Sequence, residues 1–515
     1  MISTQWRNIG FVTAIVVLLF TILHLQQETR TVTESIPDTE LETQRFDQQP
    51  GTDDIDDSES LEIPASNEPA PCDLVDFGWL ASDRKYWDGW GSKAMFMRAD
   101  GNFTRKDVIA NEGDTICVVV LLGPTPAPSA IRSEKHLAPA DSLVMTAMGR
   151  QNKRTVKLRQ HQTQTNVYYA AVQFMHEDIY DLDTRIEYRS YFWETPSHHA
   201  YRPFRFQSKN KLIVKASDDQ QSIALPPCDY KNSLHQDGVW MSKDEYQRRY
   251  PLDFYGMFGT PQEDHAQNDH FFIPDHCKPQ YISIGQAIQC LEDQTVHVWA
   301  DNNVRRNLKA FSSGNRWCTE SSKSACICDD DYEKHAELYP WATDFNVPLK
   351  INETWHANTE FYFNLVDTAL LEANWGQIIS RRAAQLKEAD IVIVGFGNED
   401  IRLRTVTPTE FARAFSKLLH YLAHEVYPKQ RIIVRTPQPF CCGSIYSTAW
   451  NSGRSEAFTQ AVMDAYSWDD RVMLWNVHAL GIADNMCVSA GTAYTNRRVV
   501  NIENMQLWNL LCPAL

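Results

Sequence analysis

From about residue 291 onward, short apolar and β-branched runs alternate with stretches that carry apolar residues at helical spacing. The strand-like runs are 295–300, 390–395, 431–436 and 471–477, and the helix-like stretches begin near 303, 408, 453 and 499. Such alternation predicts a parallel sheet, because a chain that returns to the same end of a sheet crosses over through a helix. We therefore predict a three-layer α/β domain of the flavodoxin-like kind over residues 291–515.

One helix of this domain has a clear start signal. Thr407 and Glu410 form a capping-box pattern around Pro408. Proline suits the first helical position because its φ is already helical and its missing N–H would have no partner there. Phe411 and Phe415 then begin an apolar stripe at helical spacing, so an amphipathic helix is predicted from Pro408.

Residues 72–218 have a different pattern, in which β-branched or aromatic runs are separated by turn-rich segments. The clearest runs are 115–122, 165–174 and 211–216. Short strands at this spacing, with no long helical stretch between them, are typical of a β-sandwich. Residues 219–290 carry few regular signals, and we interpret them as a connector between the two domains.

The N-terminal part of the chain predicts attachment to a membrane. Residues 9–25 are almost wholly apolar and would span about 25 Å as a helix, near the lower limit for crossing a bilayer. They are interpreted as an uncleaved signal anchor or as a cleaved signal peptide. The absence of a clear cleavage site after Leu25 favours a single transmembrane helix, with 1–8 as a cytosolic tail. The segment 26–71, with 13 acidic and 2 basic side chains, is predicted to be a disordered stem.

Cysteines and sequons indicate that the body lies in the lumen of the secretory pathway. All 12 cysteines follow the anchor, and an even number in a luminal chain favours disulfides over metal binding, although the pairing stays open. Asn102 and Asn352 lie in N-glycosylation sequons. The short span suits the Golgi or another early secretory membrane, as a single-pass type II protein. The net charge of −17 argues against nucleic acid as a partner.

Polar residues follow several predicted strands at the edge where parallel sheets bind ligands. This edge collects Asp301, Asn302 and Asn303 after the first strand, Gly397 and Asn398 after the second, and then Thr436 and His478. The run 295–306 is an apolar strand, a tight polar turn and the start of a helix.

At this point the chain resembles the NXPE and PC-esterase families, which include glycan O-acetyltransferases of the trichome-birefringence type. The resemblance covers roughly residues 228–515. It rests on the order and spacing of several short pieces, which are Cys228 with Gly238-Val-Trp240, Pro274-x-x-Cys277, the turn at 296–306, and the tail Asn501-x-x-Asn504-Met505 with Cys512-Pro513. The resemblance implies an SGNH-hydrolase-like domain behind an immunoglobulin-like sandwich, and a Ser–His–Asp mechanism of acyl transfer.

The residues that would perform this chemistry are missing. Where relatives show Gly-Asp-Ser-x-x-Arg, this chain has Ala300, Asp301, Asn302 and Arg305. An amide cannot be deprotonated to attack an acyl carbon as a hydroxyl can. The expected Asp-x-x-His region, 490–495, contains neither an acid nor a histidine.

Each remaining candidate residue has a functional and a structural interpretation. Gly397 and Asn398 would form an oxyanion-like site or an ordinary turn, and Asp301 would be a site residue or a helix cap. Arg305, with Arg306, would hold an anionic ligand or lie on a solvated helix face. His478 would be a displaced base or a structural histidine.

Other side chains are less favoured as functional groups. They are the histidines 198, 199, 265, 270 and 276 as metal ligands, the tryptophans 375, 450 and 468 as sugar platforms, and Ser444 and Ser447 as alternative nucleophiles. We expect no cofactor and no metal. The sequence therefore favours a catalytically degenerate luminal protein that binds a glycan or a protein partner, with a glycan or glycoprotein as the expected ligand. The alternative is an active O-acyltransferase or acylesterase that modifies glycans.

Overall fold

The computed structural model describes residues 71–77, 92–122, 142–162, 167–188, 204–216, 225–229, 237–250, 269–312, 349–350, 359–403, 406–439, 452–466, 471–481 and 495–512. The predicted tail, the anchor and nearly all of the stem lie outside these residues, as do Asn352 and six of the cysteines. In the described part of the chain, no helix is both long enough and apolar enough to cross a bilayer.

Two β-sheets dominate the region before residue 218. Their strands are β1 (Lys93–Phe96), β2 (Val108–Asn111), β3 (Thr115–Leu121), β4 (Ser142–Met148), β5 (Asn152–Val156), β6 (Arg159–Gln160), β7 (Val167–Gln173), β8 (Asp178–Tyr188), β9 (Phe204–Gln207) and β10 (Leu212–Lys215). Among the described residues one sheet has the order β1-β3-β7-β6. The other includes β5-β4-β8-β10-β2, with β9 paired to β8.

The buried faces of the two sheets meet in one core. Phe96 and Val118 come from the first sheet and pack with Met145 and Leu182 from the second. Side chains alternate across a strand, so each sheet turns one face inward and the pair forms a sandwich. Its immunoglobulin-like topology stays a prediction.

The predicted connector 219–290 contains more regular structure than its sequence indicates. It provides β11 (Gly238–Ser242), α1 (Lys243–Arg249), β12 (His270–Pro274) and α2 (Ile284–Cys290). β11 pairs antiparallel with both β12 and β5, which extends the larger sheet of the sandwich. The pairing of Trp240 with Lys153 joins residues far apart in the chain, and a local sequence pattern does not reveal such a partner.

The predicted parallel sheet is confirmed in the described residues of the C-terminal domain. The elements are β13 (Thr295–Ala300), α3 (Asn302–Ser312), β14 (Leu349–Lys350), β15 (Glu360–Leu365), α4 (Trp375–Ala383), β16 (Ile391–Gly395), α5 (Asn398–Arg402), α6 (Pro408–Tyr421), β17 (Arg431–Arg435), α7 (Ser452–Ala465), β18 (Val472–Trp475) and α8 (Arg497–Leu511). A short π-helix, Leu422–Val426, follows α6, and a single 3₁₀ turn, Val477–Leu480, follows β18. The described strands have the order β14-β15-β13-β16-β17-β18, and only β14 is antiparallel.

Helices cover both faces of this sheet. Val298 and Ile393 face a core that includes α2, α3 and α8. Trp299 and Val394, one position along the same strands, face a second core built with α4, α5, α6 and α7. Burial on both faces is the reason why β13 and β16 are apolar runs rather than alternating ones.

The C-terminal helix α8 is enclosed by the rest of the protein. From Val499 to Leu511 every residue except Gln506 is buried. The Asn509 side chain accepts the Gln280 N–H at 2.8 Å and donates to the Gln280 carbonyl at 2.9 Å. The helix contacts the sheet on one side, and through Val499 and Ile502 it contacts β11 and β12 on the other.

Disulfides occur in the described part of the chain, as the sequence predicts. They join Cys72 to Cys117, Cys228 to Cys277, and Cys290 to Cys512. The last of these links the end of α8 to the end of α2.

Candidate functional site

Asp301 stands at the carboxyl end of β13 and caps the helix that follows. All six residues of β13 are buried, and α3 begins one residue after Asp301. The Asp301 Oδ1 atom accepts the N–H of Asn303 at 2.9 Å. A carboxylate in this position satisfies a free helical N–H and lies at the positive end of the helix, so the predicted capping role is present.

Asn398 meets Asp301 across the same edge of the sheet. Its Nδ2 atom donates to Asp301 Oδ2, and its Oδ1 atom accepts the Gln438 N–H at 3.2 Å. Both ends of this buried amide are therefore engaged by the protein. The contacts show Asn398 orienting Asp301, whereas the oxyanion role is not tested by them.

Gly397 makes the turn that delivers Asn398. Its φ is 118°, a conformation that L side chains rarely adopt. A Cβ atom here would lie 2.8 Å from Cγ of Pro437. Glycine is thus required both by the backbone angle and by the close approach of the neighbouring loop.

Asn302 occupies the predicted nucleophile position. It is the first residue of α3 and is half-buried. Its Oδ1 atom is shielded from solvent and has no hydrogen-bond partner in the part of the chain that the structure describes. The amide therefore has a solvent-shielded acceptor oxygen without a described partner, and it has no group that attacks a carbonyl carbon.

A buried carboxylate, that of Glu503, organises the layer beneath this edge. Glu503 is 1% exposed. It accepts from four side chains, which are Arg435 at 3.1 Å, Gln438 at 3.0 Å, Asn307 at 3.0 Å and Thr495 at 3.3 Å. A buried charge requires such a set of partners, because desolvation otherwise outweighs its Coulomb attraction.

Gln438 joins this buried cluster to the edge residues. Its side chain contacts Glu503 and Arg435, while its backbone N–H reaches Asn398. A continuous set of hydrogen bonds therefore runs from Glu503 to Asp301. Glu503, Arg435 and Gln438 were not predicted from the sequence, which shows only a single carboxyl group within a helix and a single arginine at the end of an apolar strand.

Two other predicted site residues lie in the interior. Arg305 is 6% exposed and Arg306 is 1% exposed. The Arg306 guanidinium donates to the carbonyl of Thr495. The solvated-face interpretation of this pair is therefore wrong, and a ligand-binding role for Arg305 stays a prediction.

His478 belongs to a different part of the molecule. Its Nδ1 atom lies 3.3 Å from Glu456 Oε2. Its backbone N–H donates to Thr436 Oγ1 at 3.0 Å. Among the described residues no hydrogen bond or ion pair links His478 to Asp301 or Asn302. Burial lowers the pKa of His478 to about 3, so its ring is neutral near pH 7.

Only some of the other candidate residues lie in the described part of the chain. Trp375 is buried, and its Nε1 donates to the Thr368 carbonyl at 3.2 Å, so it is a core residue. Asn102 is exposed. No group of three His, Cys, Asp or Glu side chains suited to a metal ion occurs in the described ranges. The remaining candidates lie outside those ranges, namely the histidines 198, 199 and 265, Ser444, Ser447, Trp450, Trp468 and residues 490–494.

Of the comparisons with known proteins, only the one with solved structures gives matches. No family model and no curated protein matches the chain. Among solved structures, a GDSL-like lipase from Parabacteroides merdae is similar at 13% identity and a TM-score of 0.26, over 42% of this chain and 95% of the lipase. A psychrotrophic esterase from Pseudoalteromonas sp. is similar at 14% identity and a TM-score of 0.23, over 42% of this chain and 95% of the esterase. At TM-scores this low, the two matches decide neither the fold family nor the activity.

Proposed function

We propose that residues 291–515 form a catalytically silent relative of the SGNH hydrolases, of the NXPE and PC-esterase type, that binds a glycan or glycoprotein. The binding surface is the carboxyl edge of the sheet around Asp301, Asn302 and Asn398. The protein is a single-pass type II membrane protein of the Golgi or another secretory compartment, with this domain in the lumen. The apolar segment 9–25, the sequons and the disulfides support that location.

The observation that carries the proposal is the amide of Asn302 at the start of α3. Covalent acyl transfer needs a nucleophile that a neighbouring base can deprotonate. Asn302 offers none, and the base predicted from the sequence, His478, lies beside Glu456 instead, with its Nδ1 atom 3.3 Å from Oε2 of that residue. The polar side chains beside Asn302 already serve the protein, since Asp301 caps α3 and Asn398 holds Asp301.

The chemistry of the edge suits hydroxyl groups. Asn302 is half-buried, and its side-chain amide carries a donor and an acceptor, the two kinds of group that sugar hydroxyls bind. Leu365, at the end of the neighbouring strand β15, and Leu371 are both exposed. The Asn302 amide follows β13, and the exposed Leu365 ends the neighbouring strand β15, so this edge offers a polar and an apolar group to the two kinds of surface on a sugar ring.

Glycan-array binding of the purified full-length protein tests this function. Asn302→Leu keeps the size of the side chain and removes its hydrogen-bonding groups, so we expect a loss of affinity of at least about tenfold. Asn111→Leu, the same exchange at an exposed asparagine of β2, is the matched control and should bind as the wild type does. Equal binding by Asn302→Leu would remove the edge from the proposal. An array without signal, together with a defined protein ligand that Asn302→Leu fails to bind, would replace the glycan by a protein.

The alternative is an active O-acyltransferase or acylesterase that modifies glycans. It is favoured by the retained arrangement of Asp301, Asn398 and Gly397 at the edge. Release or transfer of acetyl groups from an acetylated glycan by the wild type, and not by Asp301→Ala, would support this alternative over the silent one.

A further inference from the structure

Two exposed histidines stand one helical turn apart where α6 passes into the π-helix. His420 belongs to the last turn of α6, and His424 lies within the π-helix Leu422–Val426. Their ring centroids are 4.1 Å apart, and the ring planes are inclined by 32°. Both residues are exposed to solvent. Side chains four residues apart share one helical face, so this junction presents two imidazole rings together on the surface.

A hydrogen bond fixes the tautomer of His424. Its Nδ1 atom lies 2.8 Å from the main-chain carbonyl oxygen of His420. A carbonyl oxygen only accepts, so Nδ1 carries the proton, and in the neutral ring the Nε2 atom then has a free lone pair. A metal-binding histidine is commonly held in this way, through a hydrogen bond from the nitrogen that does not bind the ion.

No competing polar partner engages the two rings in the described ranges. Neither ring makes an ion pair there, and neither makes a hydrogen bond to another side chain. The lone pair on His424 Nε2 is therefore available to a ligand from solvent.

The backbone beneath the two rings is held by the core. Leu419, Leu422 and Ala423 are buried on the inner side of the same turns. The Tyr427 N–H donates to the Leu422 carbonyl at 2.7 Å, which closes the π-helix. The Tyr427 hydroxyl in turn accepts the indole N–H of Trp299 at 2.9 Å. Binding of a ligand by both histidines therefore requires rotation of two side chains and no ordering of the main chain.

We propose that His420 and His424 form a two-histidine site for a divalent transition-metal ion such as Zn²⁺, with water in the remaining coordination positions. Two histidines four residues apart on one helical face are the core of a known zinc-binding motif. Imidazole nitrogen suits Zn²⁺, Cu²⁺ and Ni²⁺, whereas Mg²⁺ and Ca²⁺ prefer oxygen ligands. The inference departs from the sequence-based expectation of no metal, and it does not depend on the proposed function.

The site is one of binding rather than of metal-assisted hydrolysis. In the hydrolytic form of the motif, a glutamate directly after the first histidine serves as general base. Tyr421 occupies that position here. A bound ion would instead join the last turn of α6 to the π-helix, and it would stabilise the folded chain by mass action.

Modification of histidines by diethyl pyrocarbonate, mapped by peptide mass spectrometry on the full-length protein, tests the proposal. The reagent acylates a free ring nitrogen, so a bound ion protects the side chain. At about ten times the Zn²⁺ concentration that halves the rate, modification of His420 and His424 should be about tenfold slower, because only the unliganded fraction reacts. Mg²⁺ at the same concentration should leave both rates unchanged.

Each single variant leaves the other histidine as a reporter of joint binding. In His420→Gln, protection of His424 should require at least about tenfold more Zn²⁺, because loss of a ligand costs at least as much as loss of a supporting hydrogen bond. The same is expected for His420 in His424→Gln. His276→Gln removes an exposed histidine elsewhere in the chain and should leave the protection of the pair unchanged.

Three results would overturn the proposal. The first is an equal rate of modification in the wild type with and without Zn²⁺, a comparison that needs no variant. The second is protection of the remaining histidine at an unchanged Zn²⁺ concentration in the single variants, since the two rings would then bind independently. The third is an equal effect of Mg²⁺, which would indicate a response to ionic charge rather than coordination by imidazole.

Discussion

Asp301 and Asn398 fix each other at the carboxyl edge of the sheet. One oxygen of Asp301 serves the helix N-terminus and the other receives the Asn398 amide. Both interactions are charge-assisted, since the acceptor is a carboxylate, and such bonds are stronger than neutral ones. At the residue scale the edge is therefore a rigid structure around Asn302, which suits binding without large rearrangement.

Gly397 is the residue whose replacement should disturb this edge most specifically. Gly397→Ala adds a Cβ atom to a backbone at φ 118° and places it 2.8 Å from Pro437 Cγ. Backbone strain and the close contact together should lower the free energy of unfolding by about 3–5 kcal/mol. Chemical denaturation monitored by fluorescence measures the loss.

Gly113→Ala provides a matched control for the backbone term. Gly113 also has a positive φ, of 90°, but a Cβ atom there meets nothing within 4 Å. Its alanine variant should lose only about 1–2 kcal/mol. Equal losses in the two variants would show that the contact with Pro437 contributes nothing.

The sequence indicated which residues gather at the edge, but not which contacts they make. Asp301, Asn302, Gly397 and Asn398 were predicted together because parallel strands end at one edge. Glu503 was not predicted, since its partners come from three separate elements and only the folded chain shows that its charge is buried. His478 follows a strand of the same sheet and nevertheless faces the sandwich.

At the scale of elements, α6 is the helix that local signals specify best. The capping box between Thr407 and Glu410 is present in the structure, with Thr407 Oγ1 accepting the Glu410 N–H at 3.2 Å. The predicted stripe of Phe411 and Phe415 is buried against the sheet. The prediction is confirmed because all the contacts that it uses lie within a few residues.

Thr407 provides a test of that local signal. Thr407→Ala removes the oxygen that accepts the Glu410 N–H and should lower the free energy of unfolding by about 1 kcal/mol, whereas Thr407→Ser keeps the hydroxyl and should lose much less. Thermal or urea unfolding measures both. A serine variant that is as unstable as the alanine variant would assign the effect to packing of the Thr407 methyl group.

Elements that depend on distant partners were harder to predict. β11 and β12 join the sandwich sheet through β5, and no pattern in 219–290 identifies that neighbour. β15 was also missed, although it is the parallel neighbour of β13. In each case pairing and burial decide the strand, rather than intrinsic preference.

At the scale of the whole molecule, α8 connects the candidate site with both domains. Its Glu503 supports the edge residues through Gln438, and its Val499 and Ile502 pack with Trp240 and Phe272 of the sandwich sheet. His478 lies beside this contact, because it belongs to the same 3₁₀ turn as Leu480, whose carbonyl accepts the indole N–H of Trp240. The two domains are therefore joined through α8, which packs against both sheets.

Intact-mass spectrometry after treatment of the full-length protein with a fluorophosphonate probe tests the central claim most directly. The account holds that the edge around Asn302 has no activated nucleophile, so it predicts no covalent adduct under conditions that label an active serine hydrolase in the same tube. One adduct per chain, mapped to a side chain beside Asp301 or Asn398, would contradict it.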